Sequence, residues 1–107
     1  MISISKHILI ADHDVELRTM LGLILTDEGY RVSQVGDGKE AIALHRRTPL
    51  DLVIAELGLN GFESLLEMSR APLPVKFITI SNTSRLPVEL CERMGKHLGA
   101  HCFIAKP

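Results

Sequence analysis

The chain of 107 residues is 46% hydrophobic and 23% charged, the composition of one globular domain and not of a disordered or fibrous protein. Its net charge of −1, with scattered basic residues and 4% aromatics, excludes a basic or base-stacking surface for nucleic acid. The first apolar run is cut at Asp12, so it is neither a signal peptide nor a membrane span, and we expect a cytoplasmic protein without membrane contact. Cys91 and Cys102 are too few for a disulfide framework, and we expect both to be reduced thiols in the core.

Strand and helix signals alternate along the chain. Residues 7–11 and 52–55 are nearly continuous apolar runs, which are typical of strands buried on both faces. A first helix is expected between capping residues at 12–14 and a stop at Gly29, and Asp37 with Glu40 has the form of a capping box that opens a second helix. In chain order, the predicted strands are residues 7–11, 30–35, 52–55, 75–80 and 101–105, and the later helices are 37–47, 63–70 and 87–98, with Pro87 at the first helical position.

This alternation, with short connections, predicts a doubly wound α/β domain in which right-handed crossovers cover both faces of a parallel sheet. Ligands of such sheets bind at the carboxyl ends of the strands. The polar residues that follow the apolar runs are found at 12–14, at Glu56, at 79–81 and at Lys106. Their carboxylates, hydroxyl and ammonium suit a site at which a carboxylate accepts a phosphoryl group beside a magnesium ion.

An ordered set of motifs carries a resemblance to a known family. The motifs are ILIAD at residues 8–12, DG at 37–38, DLVIAE at 51–56, LNGFE at 59–63, PVKFIT at 74–79 and GAHCFIAKP at 99–107. Together they resemble the receiver domains of two-component response regulators, of the chemotaxis-regulator type, over essentially the whole chain. The resemblance implies a flavodoxin-like five-stranded parallel sheet of order 2-1-3-4-5, and a regulatory domain, not an enzyme, that takes a phosphoryl group from a histidine kinase. It also implies that residues 1–107 are one receiver domain that lacks its last helix, and that the peptide bond from Lys106 to Pro107 is cis.

The resemblance implies roles at five positions. Asp12 matches the first acidic residue of the magnesium site, Glu56 occupies the phosphoacceptor position, and Lys106 matches the lysine that the family has at the end of its last strand. Thr79 matches the switch hydroxyl and Phe103 the switch aromatic residue. These five residues form the candidate site.

The departures from the family pattern gather around the same site. Glu56 stands where the family has an aspartate, and His13 stands where the second acidic ligand belongs. Further changes are Asn60 for a proline, Ser64 for a glycine and the bulky Ile80 for a small residue. A glutamate is one methylene longer than an aspartate, and magnesium favours oxygen over imidazole, so we expect Asp12, His13 and Glu56 to form at most a weakened Mg²⁺ site.

Two functions stay open. In the interpretation we favour, the domain is a pseudo-receiver, in which Glu56 is a resident negative charge that reaches Lys106 or Thr79. A protonated His13 that replaces part of the missing metal charge is a further option within it. In the alternative, Glu56 is a working phosphoacceptor that uses Mg²⁺. The expected partners are a histidine kinase or another signalling protein, with an output domain or a second copy of the chain as further candidates.

Taken one at a time, several of these residues also fit ordinary structural roles that involve no phosphoryl group. Asp14 is expected to cap a helix, and His13 fits a surface residue as well as a cation at the site. Phe103 fits a core position as well as a switch. The histidines at 97 and 101 with the two cysteines have no standard zinc spacing, so we expect no zinc site there.

Overall fold

The computed structural model describes residues 5–57, 61–70, 75–82 and 87–106, except for the side chains of residues 61 and 62. Its strands are β1 His7–Ala11, β2 Arg31–Val35, β3 Leu52–Glu56, β4 Lys76–Ser81 and β5 Cys102–Ala105. Its helices are α1 Val15–Asp27, α2 Gly38–Arg47, α3 Gly61–Ser69 and α4 Val88–Leu98. Asn60, and the bond from Lys106 to Pro107 for which we expect cis geometry, lie outside the described residues. None of the helices in the described ranges is long and apolar enough to cross a membrane.

The five strands form one parallel sheet in the order β2-β1-β3-β4-β5. This confirms the doubly wound, flavodoxin-like fold with strand order 2-1-3-4-5. β1 and β3 are paired at the centre, with Ala11 opposite Ala55. Further along the sheet, Ile80 is the register partner of both Glu56 and Ile104. The strands therefore end at nearly the same height, and the residues that follow them meet at one edge of the sheet.

The hydrophobic core lies on both faces of the sheet. On one face, helices α2, α3 and α4 cover the larger cluster, which includes Leu9, Val53 and Phe77 of the sheet. On the other face, the smaller cluster consists of the buried Ile8, Ile54 and Ile80, with Leu21 and Leu25 of α1 packed against it. All five residues of β1 are buried, which confirms the two-sided burial expected of its apolar run. Each aliphatic side chain buried in this way stabilises the fold by about 1.5–3 kcal/mol.

The helix ends follow the capping residues in the sequence. The Asp14 carboxylate accepts a hydrogen bond from the Leu17 amide at 3.2 Å and so caps α1, as predicted. Asp37 caps α2 through the Glu40 amide at 2.8 Å, but the Glu40 carboxylate accepts from the Gly36 amide, not from that of Asp37. The reciprocal bond of the predicted capping box is thus displaced by one residue.

Two predictions about α4 and β5 are wrong. Pro87 is the residue before α4 and not its first helical residue. Cys102 is an exposed free thiol and not a core thiol. It lies on the edge strand β5, on the face of the sheet that α1 covers mainly over β1 and β2.

Helices α2 and α3 meet at a close contact between Gly38 and Ser64. Gly38 is the first residue of α2, and a Cβ atom at this position would overlap the Cβ and Oγ of Ser64. Ser64 stands where the resemblance leads us to expect a glycine. The absence of a side chain at Gly38 is therefore what makes room for the serine.

Candidate functional site

The candidate site lies at the carboxyl edge of the sheet and is built from three strand ends. Asp12 directly follows β1, Glu56 is the last residue of β3, and Lys106 directly follows β5. The Lys106 amide donates to the Ser81 carbonyl oxygen at 2.8 Å, which holds this end of the chain against β4. Because parallel strands end at the same edge, the three side chains converge although up to 94 residues separate them in sequence.

One ammonium group connects the two carboxylates. Lys106 Nζ lies 3.2 Å from Asp12 Oδ1 and 3.1 Å from Oδ2, and it also forms an ion pair with Glu56 Oε2. The Oδ2 contact is an ion pair only, since it lacks the geometry of a hydrogen bond. The Asp12 side chain is 1% exposed, that of Lys106 13% and that of Glu56 20%. The three charges are thus largely withdrawn from water, which strengthens their attraction.

His13 adds a second contact to Glu56 from the solvent side. Its Nδ1 lies 2.7 Å from Glu56 Oε1 and 3.6 Å from Asp12 Oδ1, while 74% of the side chain is exposed. Each oxygen of the Glu56 carboxylate therefore has its own nitrogen partner, Lys106 on one side and His13 on the other. The prediction that Glu56 reaches Lys106 is confirmed by this geometry.

Asp12 is held by three further hydrogen bonds, two to its backbone and one to its carboxylate. Its amide donates to the Val35 carbonyl at 3.2 Å, and its carbonyl accepts from Arg18 Nη1 at 2.6 Å. The Asp12 carboxylate accepts from the Asp14 amide at 2.8 Å. Sequence reasoning missed Arg18, because an arginine on the inner side of an otherwise apolar helix has no spacing that assigns it to a strand end.

The environment shifts the pKa values of all three charged groups. Burial raises the pKa of Glu56, and the neighbouring Asp12 raises it further, while Lys106 offsets only part of this. Burial also acts to raise the pKa of Asp12, but its interactions with Glu56, the Asp14 amide and Lys106 outweigh it, and the pKa is lowered. Burial acts to lower the pKa of Lys106, and its bonds to both carboxylates reverse this and raise it. Of the two acids, Glu56 therefore holds its proton more tightly.

The same residues are the candidate metal ligands. Asp12, His13 and Glu56 are the one group in the described part of the chain whose ligand atoms lie close enough to share a cation, within 4.8 Å of one another. Two carboxylates suit Mg²⁺, but the imidazole suits transition metals better, and the Lys106 ammonium already lies against both carboxylates. The donor set therefore fits magnesium poorly. His97, His101 and the cysteines form no such group in the described ranges.

The two predicted switch residues lie beside each other on neighbouring strands. Thr79 and Phe103 are register partners on β4 and β5, and Thr79 is fully buried. The Thr79 hydroxyl donates to the Cys102 carbonyl oxygen at 3.5 Å, and Phe103 is half-buried against the larger core cluster. The switch roles of Thr79 and Phe103 stay predictions. The packing of Phe103 against the larger cluster also fits its other expected role, that of a core residue.

Fold and site together define a flavodoxin-like α/β domain with an acidic site and a lysine at the carboxyl edge of its sheet. The family model described as "Response regulator receiver domain" matches residues 8–107. The chain therefore belongs to the receiver domain family of the response regulators, and hence of two-component systems.

Individual relatives agree with this assignment. The chain is 35% identical over 107 residues to the response regulator GtcR of Aneurinibacillus migulanus, covering 96% of this chain and 42% of the relative. It is 32% identical to the DNA-binding response regulator MtrA of Mycobacterium tuberculosis, over 95% of this chain and 44% of the relative. The chain thus spans less than half the length of these curated relatives.

Solved structures share the fold. The chemotaxis protein CheY4 of Vibrio cholerae has a TM-score of 0.84 at 25% identity, over 97% of this chain and 88% of CheY4. The response regulator TrrA of Thermotoga maritima, solved in complex with Mg²⁺ and BeF, has a TM-score of 0.77 at 26% identity, over 95% of this chain and 87% of TrrA. The receiver fold is therefore present over nearly the whole chain.

Proposed function

We propose that this receiver domain is a pseudo-receiver, which signals through protein contacts without a phosphoryl group on Glu56. The observation that carries the proposal is the double engagement of the Glu56 carboxylate, by Lys106 on one oxygen and by His13 on the other. In the receiver pattern the lysine is available to a phosphoryl group. Here its ammonium is already paired with Glu56 and Asp12, so it has anionic partners without phosphate.

The position of Glu56 also argues against efficient transfer to it. Its side chain is one methylene longer than aspartate, and the bulky Ile80, 6% exposed, is its register partner on the neighbouring strand. Transfer of a phosphoryl group in line with its donor tolerates little displacement, and an error of about 1 Å can cost roughly a hundredfold in rate. Phosphorylation of Glu56 would also require the His13 and Lys106 contacts to open.

Magnesium binding is proposed to be weak for related reasons. Asp12 and Glu56 would supply the oxygen ligands, and the ion would neutralise charge on a bound phosphoryl group. It would have to compete with the Lys106 ammonium for both carboxylates, and His13 contributes nitrogen in place of oxygen. TrrA is described in a complex with Mg²⁺ and BeF, so the same ligands can be tested on this chain.

The proposed partners are proteins. Receiver domains interact with histidine kinases and output domains, and several relatives are named DNA-binding response regulators. We propose a kinase or another signalling protein as the partner of this domain, with an output domain or a second copy as further candidates, in the cytoplasm. The domain itself is proposed to be regulatory and not an enzyme of small-molecule metabolism.

The alternative function, a working phosphoacceptor, is favoured by one observation: the Glu56 side chain keeps 20% exposure at the mouth of the site. Acetyl phosphate with Mg²⁺ separates the two functions by intact mass. The pseudo-receiver predicts no hydroxylamine-sensitive phosphoryl group on the native protein and labelling after Glu56→Asp. A hydroxylamine-sensitive label that the native protein acquires and Glu56→Gln does not would overturn the proposal in favour of the alternative.

A further inference from the structure

His13 contacts the site through one ring nitrogen, Nδ1, and this leaves the other, Nε2, available as a nucleophile. Its contacts with the two carboxylates are both made through Nδ1, with Glu56 Oε1 at 2.7 Å. An ionised carboxylate can only accept, so Nδ1 carries the hydrogen and donates it to Glu56. In the neutral imidazole the other ring nitrogen, Nε2, then keeps its lone pair, and the side chain that bears it is 74% exposed.

A carboxylate partner makes such an imidazole a better nucleophile. The hydrogen bond from Nδ1 fixes the tautomer and the ring orientation. Histidine is one of the side chains that form covalent intermediates in group transfer. The positively charged Lys106 lies on the other side of Glu56. His13 directly precedes Asp14, the N-cap of the 13-residue helix α1, and a helix N-terminus carries a partial positive charge. Both positive charges attract a phosphoryl group on His13.

The other histidines of the chain lack this combination. His7 is 5% exposed, and its Nε2 lies 2.7 Å from Ser33 Oγ, so it is held inside a buried network. His45 is half-buried with a buried Nδ1. His97 and His101 are exposed, but they belong to no cluster of ligand-type side chains among the described residues. His13 alone among the five combines exposure with a carboxylate on one nitrogen.

We propose that His13 Nε2 is a phosphoryl acceptor and that Glu56 is its positioning residue. This inference rests on the proposed function, because Glu56 must act as the carboxylate partner of His13 and not as the phosphoryl acceptor. With a phosphoramidate donor, the Nε2 lone pair forms the new N–P bond as the P–N bond of the donor breaks. The leaving nitrogen, already protonated in the donor, departs with the bonding electrons as ammonia. The Nδ1 proton stays in its hydrogen bond to Glu56, so no external base is required.

Phosphoramidate itself is the probe that tests this. The native protein is incubated with it, the label is located by peptide mass mapping, and its chemistry is checked, because phosphohistidine is labile to acid and resistant to hydroxylamine. We expect His13 to label about tenfold faster than His97 and His101. Tenfold is the lower end of the effect that a carboxylate partner has on a functional histidine. Those two exposed histidines serve as controls within the same molecule.

The variants separate a positioning role from a general effect. Glu56→Gln should slow labelling of His13 by about tenfold and leave the rates at His97 and His101 unchanged, because only His13 loses a carboxylate. His13→Gln should abolish the fast label. Equal rates at all three exposed histidines, or no effect of Glu56→Gln, would overturn the inference even in a fully folded protein.

The outcomes also separate this inference from the proposed function. A native protein that takes no label at His13 or at Glu56 overturns the inference and leaves the pseudo-receiver intact. A hydroxylamine-sensitive label on Glu56, with none on His13, overturns both. A fast, acid-labile label on His13 supports the inference and agrees with a Glu56 that is not itself the acceptor.

Discussion

Lys106, at the end of β5, forms an ion pair with Glu56, at the end of β3, and so reaches across the intervening strand β4. The same ammonium lies 3.1 Å from Asp12 at the end of β1. One side chain thus ties three strands of the sheet together at their carboxyl ends. The resident carboxylate of Glu56 supplies the negative charge at the centre of this tie.

Removal of this ammonium should destabilise the fold. Lys106→Met keeps much of the side-chain volume but leaves two partly buried carboxylates facing each other. We expect a loss of roughly 3 kcal/mol in the free energy of unfolding, the lower end for removal of one partner of a buried ion pair. Urea unfolding followed by circular dichroism measures it.

The matched control is Lys6→Met. Lys6 pairs with Asp51 at 3.9 Å, with side chains 72% and 47% exposed, so it should change stability by about 0.5 kcal/mol or less. The pKa of Lys106 is raised above its ordinary 10.5, so its stabilisation is complete below that value and is lost as the pH rises through the raised pKa. Equal losses in the two variants would contradict the role given to Lys106.

Glu56 should make stability depend on pH in the opposite sense from an ordinary paired carboxylate. Its pKa is raised in the folded protein, so the folded state binds the proton more tightly, and stability falls as the pH rises from 4.5 through the raised pKa. Glu56→Gln mimics the protonated form. Relative to the native protein, the variant should therefore gain stability as the pH rises from 4.5 through the raised pKa.

The contribution of Asp12 to stability depends on pH in the reverse sense, so the effects of the two carboxyl groups can be told apart. Its pKa is lowered, so its stabilisation is present above 3.8 and is lost only as the pH falls through the lowered pKa. Denaturation curves of the native protein and of Glu56→Gln, recorded across this range, isolate the contribution of Glu56. Parallel pH profiles would show that the carboxyl group is not perturbed as described.

Restoring an oxygen ligand at position 13 should restore magnesium binding. His13→Asp removes the nitrogen contact to Glu56 and adds a hard oxygen donor beside Asp12. Amide shifts in an NMR titration should give an affinity for Mg²⁺ about tenfold or more above that of the native protein, a gain of about 1.4 kcal/mol or more.

His101→Asp is the control for this titration. It makes the same substitution at another exposed histidine, so it changes the net charge equally without touching the site. A comparable gain in affinity from His101→Asp would mean that general electrostatics, and not the ligand at position 13, limits magnesium binding.

The contact between Gly38 and Ser64 should appear as strong coupling between two substitutions. Gly38→Ala places a methyl group against the Cβ and Oγ of Ser64 and should destabilise the protein by about 1–3 kcal/mol, although alanine normally favours a helix. Ser64→Gly removes both atoms, so Gly38→Ala should cost little in that background. Additive effects in the double variant would show that the two helices adjust without strain.

Much of the fold could be predicted from local patterns. Continuous apolar runs such as residues 52–55 and caps such as Asp14 and Asp37 act over a few residues, and the strand order followed from the family resemblance. The exposure of Cys102 could not be predicted in this way. It depends on which part of the sheet α1 covers, and this is a property of packing and not of the four residues of β5.

The α/β fold and the identity of the groups at the carboxyl edge, Asp12, His13, Glu56 and Lys106, follow from the order of residues along the chain. The pairing among these groups depends on how the strands pack in three dimensions. Lys106 could have turned to solvent, and Glu56 could have met Thr79, whose hydroxyl instead bonds the Cys102 carbonyl. The pairing of Glu56 with both Lys106 and His13 arises because the three strand ends lie within reach of side chains and away from water, where opposite charges attract most strongly.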